Sequence, residues 1–371
     1  EFRRVLFRSQ IAHIQAAPIS RTDKTSMDKM SEYQNETIPV REAHRLDEGK
    51  LRSYLAAHMD GIGEDISLHQ FAVGQSNPTY MIATGGREFV LRKKPPGTLL
   101  PSAHAVDREY RIITALGPPE VPVPKTYLLC EDDDVLGTAF YVMDKVDGRV
   151  LDDQFAPAFS AAERSAVYDH MLEVLATFHA VDYEAVGLGD FGRPGNYYIR
   201  QINRWTKQYV ASQTDEIPAM DHLMKWLPEN IPDDDTTTLV HGDYRLGNTI
   251  VHPTKPRIAA VLDWELSTFG HPLADLAYCY VSCFMGAGET LELLPGLPSE
   301  DEFVARYCEL TNRGGIPDWT FYKVFQLFRL AAIVQGVYKR GLDGIASSAK
   351  AVTYGEMCRN RAEAAWKMVE G

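Results

Sequence analysis

Between Ser67 and Met143 the apolar residues fall in short runs, Leu68–Val73, Thr79–Thr84 and Glu88–Arg92. Gly74 to Pro78 separates the first two and Gly85-Gly86 the second and third. Short alternating runs punctuated by Gly and Pro predict strands. The period then lengthens: Val106, Tyr110 and Ile113 recur at helical spacing within Ala103–Leu116, and Gly117-Pro118-Pro119 ends the predicted helix. Lys125–Cys130 and Ala139–Met143 return to strand around an acidic turn at Glu131–Asp134.

Beyond Asp147-Gly148 the texture changes to long helices. Ser160–Val181 opens with Ser160 and Glu163 at capping-box spacing. Tyr197–Ser212, Ala219–Trp226, Pro272–Cys283, Glu300–Thr311, Trp319–Arg340 and Ala346–Val369 follow. Two short strands, Thr249–His252 and Ile258–Leu262, interrupt them, joined by Pro253-Thr254-Lys255-Pro256. The pattern predicts an α+β chain, with a small β-rich lobe over residues 31–143 and a larger helical lobe over 144–371.

Composition narrows this picture only slightly. Of 371 residues 45% are hydrophobic and 24% charged, which suffices for a globular core. The net charge of -13 argues against non-specific nucleic-acid binding, which needs a basic surface. No run approaches the roughly 18 apolar residues of a membrane span. The cysteines Cys130, Cys279, Cys283, Cys308 and Cys358 are scattered without a C-x-x-C, as expected of reduced core thiols in a cytoplasmic protein. Residues 1–30 share no pattern with the rest. The VLFRS at Val5–Ser9 resembles a translated sequencing adapter, so a disordered or artefactual extension is expected, with Met27 or Met30 as the start.

The candidate chemistry lies in LVHGDYRLGNTIVHPTKPRIAAVLDWE, Leu239 to Glu265. Asp243 precedes Asn248, and Asp263 follows at the end of an apolar run. Phosphoryl transfer needs an aimed acceptor hydroxyl and cations on the phosphate oxygens. One carboxylate can take the hydroxyl proton. An amide oxygen and a second carboxylate can hold magnesium through hard oxygen donors. An Asn opening one strand and an Asp ending its hairpin partner can converge.

This segment resembles the catalytic core of the protein-kinase-like aminoglycoside and choline phosphotransferases, where H-x-D-x-x-x-x-N is the catalytic loop. HGDYRLGNTIVHP and VLDWELSTFGHPLADLAY are more similar still to the phosphotransferase domain fused to acyl-CoA dehydrogenases in some animal proteins, and to its stand-alone bacterial relatives. The resemblance runs from about Leu68 to Lys367. It implies a bilobal fold, with a five-stranded antiparallel N-lobe carrying one helix and a mainly helical C-lobe holding the catalytic loop and metal-binding hairpin. It implies Asp243 as base, Asn248 and Asp263 as metal ligands, and ATP and Mg2+ as cofactors.

The same resemblance assigns Ser76 and Asn77 to the phosphate-covering loop. Arg92 is the basic residue at the end of strand three, with Lys93 as the fallback, and Glu109 is its helical partner. Backbone groups near Met143 would meet the adenine edge. Strand alternation alone sends Val90 and Arg92 to one face. His241 is expected to shape the loop, Asp275 to brace its backbone, Trp264 to pack and Glu265 to support the metal shell; His271 receives no role. The implied acceptor is a hydroxyacyl-CoA, for which Arg200, Arg204 and Lys207 offer positive charge. The alternatives are an aminoglycoside- or choline-type kinase, a catalytically silent nucleotide-binding module, and a metal hydrolase built on His241, Asp243, His252 and Asp263, whose spacing is no zinc pattern.

Overall fold

The computed structural model describes residues 37–63, 65–72, 77–95, 105–117, 121–151, 153–285, 294–345 and 349–371. The expected extension over 1–30 and Ser76 lie outside these residues. The chain divides into two compact units, one running to Ala156 with Leu246–Leu266 added, the other holding Pro157–Arg245 and Ser267–Gly371.

The first unit is built on an antiparallel sheet. Its strands are β1 (Thr37–Ile38), β2 (Ser67–Phe71), β3 (Thr79–Thr84), β4 (Arg87–Lys93), β5 (Thr126–Cys130) and β6 (Phe140–Asp144), in the order β1-β2-β3-β4-β6-β5. The five expected strands are joined by a sixth, since the two residues of β1 pair with the end of β2 but are too few to show a period. Thr84 pairs with Arg87, so Gly85 and Gly86 alone make the β3–β4 turn, at φ 57° and 74°. Both are left-handed conformations that glycine adopts at little cost.

Helix α1 (Glu48–His58) joins the expected α2 (Val106–Leu116), and the acidic turn winds into a one-turn helix, α3 (Asp133–Leu136). One helix was expected here; α1 escaped because only Leu51 and Leu55 are buried along it. Those two leucines pack with Tyr80, Ile82, Phe89, Leu91, Leu128, Phe140 and Val142. Phe89 and Leu91 therefore face this core, and alternation turns Val90 and Arg92 to the opposite face. A second sheet, β7 (Arg149–Val150), β9 (Thr249–Val251) and β10 (Ile258–Val261), has the order β10-β9-β7.

The second unit is mainly helical: α4 (Ala161–His179), α5 (Tyr197–Ser212), α6 (Pro218–Glu229), α7 (Pro272–Phe284), α8 (Glu300–Leu310), α9 (Trp319–Leu342) and α10 (Tyr354–Glu370). The Ser160–Glu163 capping box starts α4, and an equivalent Ser299–Glu302 box starts α8. Each box satisfies amide groups that a helix start leaves without partners. Helix α9 is buried almost continuously from Phe321 to Val337. Before α10 the chain forms a 3-10 turn over Ala349–Thr353; the expected start at Ala346 lies outside the described residues. Strands β8 (Thr238–Val240) and β11 (Thr268–Gly270) pair antiparallel, and neither was foreseen, because three residues carry no readable period. All five cysteines are free and buried. Among the described residues no helix is long and apolar enough to cross a membrane.

Candidate active site

In the first unit three charged side chains meet. Arg92, near the end of β4, donates from Nη1 to Glu109 Oε1 at 2.6 Å and from Nη2 to Asp263 Oδ1 at 3.1 Å. Glu109 reaches it from α2, where Val106, Ile112, Ile113 and Leu116 are buried on the same helix. The Glu109 side chain is wholly buried. Burial pushes its carboxyl up, to about 7, against the pull of Arg92. For Arg92 burial acts to lower the value, but Glu109, Tyr141 and Asp263 together raise it well above the ordinary one. The guanidinium is therefore a permanent cation held between carboxylates. Lys93 points elsewhere: its amine donates to Thr138 Oγ1 at 2.5 Å.

The β9–β10 hairpin brings Asn248 and Asp263 to one end. Thr249 pairs with Val261, and the Leu262 amide donates to the Asn248 carbonyl at 2.9 Å. Asn248 closes the 3-10 turn Leu246–Asn248 ahead of β9, and Asp263 leaves β10 directly after Leu262. Asp263 turns with φ 66°, a left-handed conformation uncommon outside glycine but more accessible to Asp and Asn. Trp264 is buried, its indole N–H on the Val261 carbonyl at 3.1 Å. Asn77, also buried, donates from Nδ2 to Glu265 Oε2 at 3.0 Å. Met143 stands in the ladder opposite Val90 and Thr126, its side chain in the interior.

In the second unit β8 delivers the His241-Gly242-Asp243 loop. The Asp275 carboxylate, in the first turn of α7, accepts the His241 amide at 2.5 Å and the Gly242 amide at 2.9 Å. Burial would raise the Asp275 value, but His179, His241 and the Gly242 amide bring it below the usual carboxylate range. Gly242 has φ 83°, and Arg329 of α9 donates to its carbonyl at 2.8 Å. His241 Nδ1 accepts the Asp243 amide at 3.2 Å, so the ring does shape the loop. The Asp243 carboxylate is buried, accepts the Tyr278 hydroxyl at Oδ1 and has Arg245 Nε at 3.9 Å from the same oxygen.

The phosphotransferase enzyme family profile matches residues 67–323. The chain belongs to this family. It is 45% identical over 342 residues to acyl-CoA dehydrogenase family member 10 of Mus musculus, covering 89% of this chain and 32% of that protein. It is 41% identical to family member 11 of Homo sapiens, covering 86% of this chain and 43% of that protein. The chain thus spans less than half the length of these relatives. A solved Ralstonia eutropha structure, described as a candidate aminoglycoside phosphotransferase, has TM-score 0.80 at 48% identity, covering 88% of this chain and 99% of that one. Aminoglycoside phosphotransferase APH(4)-Ia, solved with ADP and hygromycin B, shares the fold at TM-score 0.58 and 17% identity, over 87% of this chain and 99% of that one.

Several residues around the His241–Asp243 loop had no sequence signal of their own. Tyr278 and Arg329 sit inside apolar helices and read as core residues until the loop is seen beside them. His271, given no role, caps α7: its Nδ1 accepts the Leu273 amide at 3.2 Å, and its Nε2 lies 3.3 Å from Asp234 Oδ2. Burial lowers its value to about 4, keeping the ring neutral. Arg200 donates to the carbonyls of Arg193 and Gly195. Arg204 and Lys207 remain exposed on α5.

Proposed function

We propose that this chain is an ATP- and magnesium-dependent kinase of a small-molecule hydroxyl, with a hydroxyacyl-CoA as acceptor, working in the cytoplasm. The observation that carries the reading is the meeting of Arg92, Glu109 and Asp263 at the end of the hairpin that also holds Asn248. These side chains come from a strand, a helix and a hairpin, and have no common structural task.

The hard oxygen donors of Asn248 and Asp263 suit magnesium, and these two residues would hold it. When bound, the ion neutralises charge on the phosphate oxygens. Arg92, oriented by Glu109, offers a planar fork to phosphate. Asn77 contributes an amide, and the backbone around Met143 would meet the adenine edge. Asp243 accepts the hydroxyl proton while the acceptor oxygen bonds to the γ-phosphorus. The bond from that phosphorus to the ADP oxygen breaks, and the proton ends on the Asp243 carboxylate. Tyr278 and Arg245 keep that carboxylate oriented.

The names of the relatives support the acceptor, since they join this domain to acyl-CoA dehydrogenases. Phosphorylating a hydroxyacyl-CoA makes its hydroxyl a leaving group. The five free thiols accord with a reducing compartment. The test is ADP release from ATP and magnesium with β-hydroxybutyryl-CoA, choline or an aminoglycoside. Asp243→Asn is expected to lower kcat about a hundredfold to ten-thousandfold while ATP still binds. Nucleotide binding by the wild type without turnover of any acceptor would leave only a binding module. An intact rate in Asp243→Asn would remove Asp243 as the base.

A further inference from the structure

Trp205 of α5 is buried, and two guanidinium groups lie over its ring. The Arg204 Cζ atom is 5.2 Å from the ring centroid and the Arg329 Cζ atom 5.8 Å. Arg329 also lies over the Tyr278 ring, at 5.1 Å, and Tyr278 gives its hydroxyl to Asp243. All of these residues belong to the second unit. Trp205, Arg329, Tyr278 and Asp243 are buried, whereas Arg204 is exposed. Contacts therefore run without a break from the carboxylate of the proposed base to a guanidinium that solvent reaches.

Neither guanidinium on this ring is neutralised. Arg329 donates to Gln326 Oε1 and to the Gly242 carbonyl, both uncharged. Among the described residues no carboxylate pairs with Arg329 or Arg204. An aromatic face attracts each cation, but two guanidinium groups on one ring repel each other. Arg245, 3.9 Å from the Asp243 carboxylate, adds a third positive charge. A quaternary ammonium or an aminosugar would meet repulsion here, and an anion would be drawn in. A guanidinium laid on a ring also has its planar fork oriented in advance, which suits a carboxylate or phosphate. Lys207, exposed one turn further along α5, extends the charge away from the loop.

We propose that Arg204, held on Trp205, binds an anionic group of the acceptor and so turns its hydroxyl toward Asp243. This rests on the kinase reading above and makes Arg204 a specificity-determining residue. Arg204 is exposed, so Arg204→Gln is expected to fold with the Tm of the wild type. Its KM for the acceptor should rise about tenfold, the loss typical of a hydrogen bond between charged groups, with kcat and the KM for ATP unchanged. Arg204→Lys should recover part of the loss.

Both β-hydroxybutyrate and β-hydroxybutyryl-CoA serve as acceptors in the assay. A KM rise with the free acid identifies its carboxylate as the bound group. A rise with the thioester, which has no carboxylate, identifies the phosphates of CoA, and Lys207→Gln should then raise the same KM. If Arg204→Gln fails to fold, Arg204→Lys reads the same constants. An acceptor KM within twofold of wild type for both compounds overturns this inference alone. So does a fall in kcat with the acceptor KM unchanged, which would mean that Arg204 acts only through the packing of Arg329. Wild-type turnover of choline but of neither hydroxy compound overturns it too. A wild type inactive on every acceptor sinks the kinase reading, and this inference with it.

Discussion

Arg92 shows how one residue joins stability to chemistry. Its guanidinium is 12% exposed and bonded to two carboxylates, one of them wholly buried. Removing one partner of a buried pair usually costs more than the pair contributes, because the other charge is left behind. Glu109→Gln retains the shape and removes the charge. With Asp263 still bonded to Arg92, the expected loss is about 2 kcal/mol, measured by urea unfolding. The KM for ATP should rise about tenfold as the fork loses its orientation. The face chosen by Arg92 was legible, because alternation along a strand is a local property. That Lys93 would turn to Thr138 was not, since Thr138 arrives from a distant loop.

Among the elements, the β9–β10 hairpin and the start of α7 do the positioning. The hairpin's register is local, so the approach of Asn248 to Asp263 follows from two short apolar runs and the turn between them. Helix α7 acts at longer range, since its Asp275 takes both amides of the loop that carries Asp243. Asp275→Ala leaves one buried and one half-buried amide without acceptors. The expected destabilisation is roughly 3 kcal/mol by chemical denaturation, at about 1 to 3 kcal/mol for each orphaned group. kcat should fall while the KM for ATP is nearly unchanged, because the nucleotide contacts proposed here lie in the other unit. The Ser160–Glu163 capping box was read as a short pattern; the Ser299–Glu302 box, of the same spacing, was not singled out and appears only in the structure. β8 and β11 were not readable, because three-residue strands are recognised only by their pairing.

At the scale of the whole molecule, stability depends on histidines kept neutral in the interior. His271 is lowered to about 4 by burial, and its unfolded value is near 6.5. The unfolded chain therefore binds more protons between those values, and the stabilisation present above pH 6.5 is lost as pH falls through 4. Burial lowers His179 as well, so its contribution has the same sign. Glu109, raised to about 7, works in the opposite direction, so the two effects must be separated by a variant. His271→Asn keeps an acceptor for the Leu273 amide but does not titrate. Between pH 7 and pH 4.5 the wild type should lose about 2 kcal/mol more than this variant, read from Tm or urea midpoints at each pH. An equal loss in both proteins would show that His271 is not the titrating group.

The sequence by itself determined the α+β class, most helices and strands, and the likeness to phosphotransferases. The class and the elements depend on period, capping and turn chemistry, which neighbouring residues decide among themselves; the likeness rests on the resemblance of the segments around Asp243 and Asp263. Tertiary structure alone decided which charges meet. His271 comes to Asp234 across the second unit, and Arg329 to the Gly242 carbonyl from the long buried helix. Contacts between residues far apart along the chain depend on how helices and sheets pack, and no local pattern records that packing.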